Sequence, residues 1–231
     1  MSLNPFLSPS GLSTAKPRIG LLGGSFNPPH KGHVHISVLA YKYLALDEVW
    51  WLVTPHNPLK QEMNKSLRAY QQRVDKARQI SHTFPMIKVS MIEHQCRARS
   101  TYELVTLLQR YRCWCRCAYV FIMGADVVRD VPLWHKWSLL VQRVPLAIFD
   151  RPPYTSSTLN GQFAHRYRRY RKPVRQGQQL LAMGPPSWIF FHTAGRTDIS
   201  STHIRREHRA SHESSHEFSQ GSFDAQKGIR P

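Results

Sequence analysis

Apolar residues in this chain gather in short, near-continuous runs separated by longer amphipathic stretches. Ile19 to Leu22, Glu48 to Thr54, Tyr119 to Met123, Val144 to Phe149 and Trp188 to Phe191 each read as a strand buried on both faces, the pattern of a parallel sheet. Met86 to Ile92 alternates Ile87, Val89 and Met91 and reads as a further strand. Between these runs the period changes to helical. His30 to Leu46 spaces Val34, Val38 and Tyr41 along one face. Ser66 to Ile80 places Leu67, Tyr70, Val74 and Ala77 on a stripe, with Arg68 and Arg73 expected to be solvated or salt-bridged. Thr101 to Tyr111 carries Leu104, Val105 and Leu108 after a polar loop, Glu93 to Ser100. Strand and helix alternating through five or six repeats predict an α/β fold: a Rossmann-like, doubly wound parallel sheet in a single domain.

The length of 231 residues suits one such domain with a full core. Residues 18–206 are expected to form it. Residues 1–17 read as a disordered leader and 207–231, rich in His and Ser with little to bury, as a disordered tail. No apolar run approaches the ~20 residues needed to span a bilayer. The leader lacks a charged region followed by a continuous apolar one, so a cytoplasmic protein without membrane partners is expected.

The formal net charge of +18 points to polyanionic partners, nucleotides or RNA. It is uneven. Arg166, Arg168, Arg169, Arg171, Lys172 and Arg175 crowd one stretch with Tyr167 and Tyr170 among them, inside a basic insertion at 164–179. Such interleaving suits single-stranded nucleic acid, but a solvated basic surface is the favoured reading, so nucleic-acid binding by 166–175 stays open without being favoured. Cys113, Cys115 and Cys117 alternate without the paired spacing of zinc sites, and no protein-held metal is expected.

Candidate chemistry concentrates in Ile-Gly-Leu-Leu-Gly-Gly-Ser-Phe-Asn-Pro-Pro-His-Lys-Gly-His-Val-His-Ile, residues 19–36. A strand stops at Gly23-Gly24, where the backbone can turn and admit an anion, and a helix starts after Asn27-Pro28-Pro29. His30 and His33, three apart, lie on the same side of that helix start. Beside a phosphate cradle of Gly24, Ser25 and Phe26 they can donate hydrogen bonds to oxygens gaining charge during phosphoryl or nucleotidyl transfer. The plainer alternative is a surface helix start that happens to contain histidines. The stretch is neither a Walker A loop nor a Gly-x-Gly-x-x-Gly fingerprint.

Three downstream places extend the pattern. Lys60, in a turn-rich loop at the carboxyl end of the second strand, is a candidate phosphate contact. Gly124-Ala125-Asp126 follows the fourth predicted long strand, where Asp126 can accept from ribose hydroxyls. Ser200, Ser201 and Thr202 precede a helix start with Arg205 one turn in, a second anion site or an ordinary N-cap.

Gly-Gly-Ser-Phe-Asn-Pro-Pro-His-x-Gly-His resembles the signature of the His-x-Gly-His nucleotidylyltransferase superfamily, and most closely the bacterial nicotinate-mononucleotide adenylyltransferases. Ile199-Ser200-Ser201-Thr202-His203-Ile204-Arg205 resembles the superfamily's second hallmark, and the likeness runs from Arg18 to Arg206. It implies adenylyl transfer from ATP, with Mg²⁺, to nicotinate mononucleotide. By resemblance, His30, His33, Lys60 and Arg205 are catalytic. Gly23, Gly24, Ser25, Phe26, Gly124, Asp126, Ile199, Ser200, Ser201 and Thr202 then bind ATP. Asn27, Ser100, Thr101, Tyr102, Trp134 and His135 take the mononucleotide, Trp134 by stacking on its ring. Ser100 stands where the family has Tyr, a departure that Tyr102 is a candidate to fill, and Trp137 is assigned to the core. Phosphopantetheine adenylyltransferases share the chemistry, but they usually have Thr for the first histidine and a shorter chain. A basic RNA-binding module is the alternative from another class.

Overall fold

The computed structural model describes residues 16–55, 66–111, 115–150 and 154–192. Seven strands form one all-parallel sheet: β1 (Arg18–Gly24), β2 (Glu48–Val53), β3 (Ile87–Ser90), β4 (Ala118–Gly124), β5 (Leu146–Phe149), β6 (Arg171–Lys172) and β7 (Trp188–Phe191). Their order is β3-β2-β1-β4-β5-β7-β6. Helices α1 (Lys31–Tyr43), α2 (Leu67–Ser81), α3 (Ile92–Gln95), α4 (Thr101–Arg110) and α5 (Ala125–Val128) follow in chain order. α6 (Trp137–Val141), α7 (Thr155–Leu159), α8 (Gln162–Arg166) and α9 (Leu180–Met183) complete the set.

The predicted apolar runs are continuous because both faces of each strand are covered. Alternate residues belong to two separate cores. Ile19, Leu21, Phe121, Met123, Leu146 and Ile148 pack with α4 and α6 on one face. Leu22, Val120, Ile122, Ala147 and Phe149 pack with α1, α2 and α9 on the other. The split follows from handedness. The chain winds from β1 outward to β3 and then returns to β4 on β1's other side, so right-handed crossovers put the two sets of helices on opposite faces. The reversal falls between β1 and β4, paired in parallel from Arg18↔Ala118 to Leu22↔Ile122.

Three expectations are corrected. The third strand stops at Ser90, whose hydroxyl accepts the Ile92 N–H at 3.3 Å, and Ile92 opens α3 as a buried residue instead of ending a strand. The polar loop after it therefore begins with a helical turn, and Glu93 is buried. On α2 the stripe is shifted. Leu67 is 65% exposed, while Arg73 is buried with Tyr70, Val74 and Ala77.

The arginines of the basic stretch, Arg166, Arg168, Arg169, Arg171 and Arg175, are exposed as expected of a solvated surface, and the stretch is anchored from beneath. Tyr167 is buried, and its carbonyl accepts from Trp188 Nε1 at 2.8 Å. Arg166 lies over the Trp137 ring and Arg171 over the Trp188 ring. Arg171 and Lys172 form the edge strand β6 on β7. Among the described residues no helix is long and apolar enough to cross a membrane.

Candidate active site

In an open parallel sheet, ligands bind beyond the carboxyl ends of the strands where the winding reverses. That crevice lies here between Gly24, the last residue of β1, and Gly124, the last residue of β4. The sharp turn expected at Gly23-Gly24 is displaced: both glycines finish the strand, and the left-handed residue is Phe26, at φ 46°. A side chain in that region costs roughly 1–2 kcal/mol. Burial offsets it, because the Phe26 ring is enclosed, stacked 4.9 Å from Trp51 and 4.7 Å from His33.

The histidine pair is held by the helix itself. His30 is the N-cap of α1, and its Nδ1 accepts the Gly32 N–H at 3.1 Å. His33 reaches back, its Nδ1 accepting the His30 N–H at 3.2 Å, so the two imidazoles do the work that Ser and Glu do in a capping box. The rings lie 3.9 Å apart between centroids. With each Nδ1 committed as an acceptor, the neutral rings carry their proton on Nε2. The cap thereby sets the tautomer that can donate to an oxyanion. His30 is buried, unlike a residue of a surface helix start, and His33 is half-buried. Behind them Ser37 ties α1 to β2. Its hydroxyl donates to His33 O and accepts from Trp51 Nε1, both at 2.8 Å.

Beneath the cradle lies a cluster that the sequence reading passed over. Arg73, 6% exposed, donates through Nη1 to Ser25 O at 2.5 Å and to Thr54 O at 2.9 Å, and through Nη2 to Pro55 O at 3.3 Å. Its guanidinium sits 5.3 Å from the Tyr70 ring. Burial lowers the pKa of Arg73 from its ordinary value, while Tyr70 partly raises it. Thr54 also donates its N–H to Gly24 O at 3.0 Å, and its side chain hydrogen-bonds Glu93. Burial pushes the Glu93 carboxyl up to about 7 against the opposing effect of that hydrogen bond. Tyr70 is pushed up to about 12, by burial first and then by Glu93. The available signal was Arg73's position on the apolar stripe, three residues from Tyr70 and four from Ala77. Nothing in the spacing marks Glu93.

Across the switch, Asp126 stands half-buried in the first turn of α5. A Cβ on Gly124 would lie 2.5 Å from Asp126 Oδ1, so only glycine lets the carboxylate approach the strand end. Trp134 is half-buried on the rim of the α4–α6 core, edge-on to Phe121 at 6.0 Å, with His135 exposed beside it. Trp137 packs on that core as expected.

The substituted pyridine segment is placed in part. Ser100 caps α4 by accepting the Glu103 N–H at 3.2 Å, so its hydroxyl serves the helix, with Thr101 next in line. Tyr102 reaches the same rim as Trp134, where Arg143 and Lys136 lie 5.5 and 5.4 Å from its ring centroid. The hydrogen bond from Arg143 is the main cause lowering its phenol pKa. Asn27 lines a cleft of about 240 Å³ together with Phe26 and with Gln72, Arg73 and Lys76 of α2. Lys60, Ile199, Ser200, Ser201, Thr202 and Arg205 lie outside the described residues, as do Cys113 and the tail histidines.

A doubly wound parallel sheet with a capped histidine pair at its switch point places the chain among α/β proteins with a ligand crevice at that point. A cytidylyltransferase-like family model matches residues 21–207. A probable nicotinate-nucleotide adenylyltransferase of a Bradyrhizobium strain is 42% identical over 188 residues, covering 81% of this chain and 95% of the relative. The corresponding Brucella suis protein is 35% identical over 188 residues, covering 81% and 94%. The nicotinic acid mononucleotide adenylyltransferase of Plasmodium falciparum, solved in complex with NaAD, shares the fold. Its TM-score is 0.61 at 16% identity, covering 82% of this chain and 83% of that one. The chain belongs to the nicotinate-nucleotide adenylyltransferase family.

Proposed function

We propose that the chain joins Mg-ATP and nicotinate mononucleotide into nicotinate adenine dinucleotide and pyrophosphate, a step of NAD biosynthesis, in the crevice between β1 and β4. The observation that carries this reading is the His30–His33 pair, fixed by its own helix cap at the point where the winding reverses. The 5′-phosphate of the mononucleotide attacks the α-phosphorus of ATP in line. One P–O bond forms, the α–β bridging bond breaks, and pyrophosphate leaves with the electron pair. An anionic phosphate oxygen is already a nucleophile, so no covalent enzyme intermediate is required. The protein contributes position and charge stabilisation.

His30 and His33 donate from Nε2 to the α-phosphate oxygens as charge builds there. The amides of Gly24, Ser25 and Phe26 line the cradle, and Asp126 accepts from ribose hydroxyls. Lys60, Ser201, Thr202 and Arg205 hold the β- and γ-phosphates. Mg²⁺ bound with the ATP would supply neutralisation of the charge on the phosphates that these residues hold. Trp134 stacks on the pyridine ring, with Thr101 and Tyr102 near its carboxylate. Residues 166–175 offer less to nucleic acid than their composition suggests, since the Tyr167 ring is enclosed and unavailable to a base.

The test is pyrophosphate release by purified protein given Mg-ATP and either nicotinate or nicotinamide mononucleotide. Release is expected with the acid, at a higher kcat/KM than with the amide. Equal or better use of the amide would remove the substrate assignment, and release with neither would remove the reaction.

A further inference from the structure

Two chain segments that leave the sheet beside the crevice share one buried cation. The first is Ser25-Phe26, which follows β1 and forms the cradle. The second is Thr54-Pro55, which ends β2 and leads into the loop carrying Lys60. Arg73 of α2 donates to carbonyls of both. Its partners among the described residues are these carbonyls and the Tyr70 ring, with no carboxylate. We propose that Arg73 is a positioning residue for adenylyl transfer: a single guanidinium that fixes the phosphate cradle and the root of the Lys60 loop at one separation. This rests on the reaction proposed above.

Peptide geometry makes the device directional. In a trans peptide the C=O and N–H point opposite ways. With Ser25 O turned onto Arg73, the N–H of Phe26 is turned away from it, and the left-handed Phe26 is held in register by the same contact. A cation on the carbonyl also polarises the peptide and strengthens that N–H as a donor. The three acceptors need a planar fork with several donors in fixed directions, which arginine has and lysine lacks. Among the described residues this buried guanidinium faces carbonyls and no acid, which leaves its charge directed behind an anion site. That is a poor choice for stability alone, and a useful one where a triphosphate must be gripped.

The experiment compares Arg73→Lys and Arg73→Met with wild type, reading melting temperature first and then kcat and KM for each substrate by pyrophosphate release. A lysine keeps the charge and reaches fewer carbonyls. The expected result is a folded Arg73→Lys enzyme with kcat lowered on the order of 10²-fold and both KM values within about threefold, as for a misplaced reacting group. Arg73→Met is expected to lose more. A folded Arg73→Lys variant with kcat near wild type would overturn the proposal. So would a loss confined to KM. Failure of Arg73→Lys to fold would overturn it as well, by assigning the guanidinium to the fold. Wild type run alongside separates the two readings, since an inactive wild type would strike the reaction and leave the role of Arg73 without one.

Discussion

At the scale of single residues, the two histidines of the candidate site cap their own helix. Their Nδ1 atoms replace the side-chain oxygens that normally cap a helix, and this leaves the Nε2 protons as the donors. The pairing was legible, because a spacing of three at a helix start puts both rings on one side. The capping was not, since histidine is an unusual cap and its orientation depends on backbone geometry. Glu93 shows the opposite limit. It reads as one acid in a polar loop, yet it is buried beside Thr54 and Tyr70. Its pKa is raised in the fold to about 7 from 4.5, so the folded state binds the proton more tightly than the unfolded chain. The contribution of Glu93 to stability therefore falls as pH rises from about 4.5 to about 7 and levels off above, by a total of about 3 kcal/mol. Glu93→Gln is expected to flatten that slope, so thermal melts from pH 5 to pH 8 should show the variant losing less than wild type. Parallel curves would show that Glu93 does not titrate there.

At the scale of elements, the strands were readable because full burial writes itself as unbroken apolar runs. Ends and faces were less so. β3 is cut short by a hydroxyl-to-backbone hydrogen bond at Ser90, a local competitor that a period-2 pattern does not encode. α2 buries Arg73 on a stripe otherwise apolar, because three carbonyls from outside the helix satisfy it. α1 depends on a similar cross-element bond. Ser37 is fully buried and links His33 O to Trp51 Nε1. Ser37→Ala strands the indole N–H and is expected to cost about 1–3 kcal/mol in urea unfolding. A change below a few tenths of a kcal/mol would mean that the indole finds another partner.

At the scale of the molecule, what matters is where the winding reverses. The order of strands and helices implied a doubly wound sheet, and that order alone places a crevice between β1 and β4. The motifs at residues 23–33 and 124–126 then fall on its two sides, so segments a hundred residues apart flank one crevice. The basic stretch was harder to read. Its charges read as a surface and its arginines are exposed, but the composition does not show how Tyr167 and the rings of Trp137 and Trp188 anchor it to the sheet through contacts distant in sequence.

The claim on which the account stands is that the capped imidazoles stabilise charge on the α-phosphate. Its most direct test is kcat for pyrophosphate release by His33→Ala at saturating Mg-ATP and nicotinate mononucleotide. A loss on the order of 10²–10³ is expected, with mononucleotide affinity little changed. A folded variant turning over at the wild-type rate would contradict it.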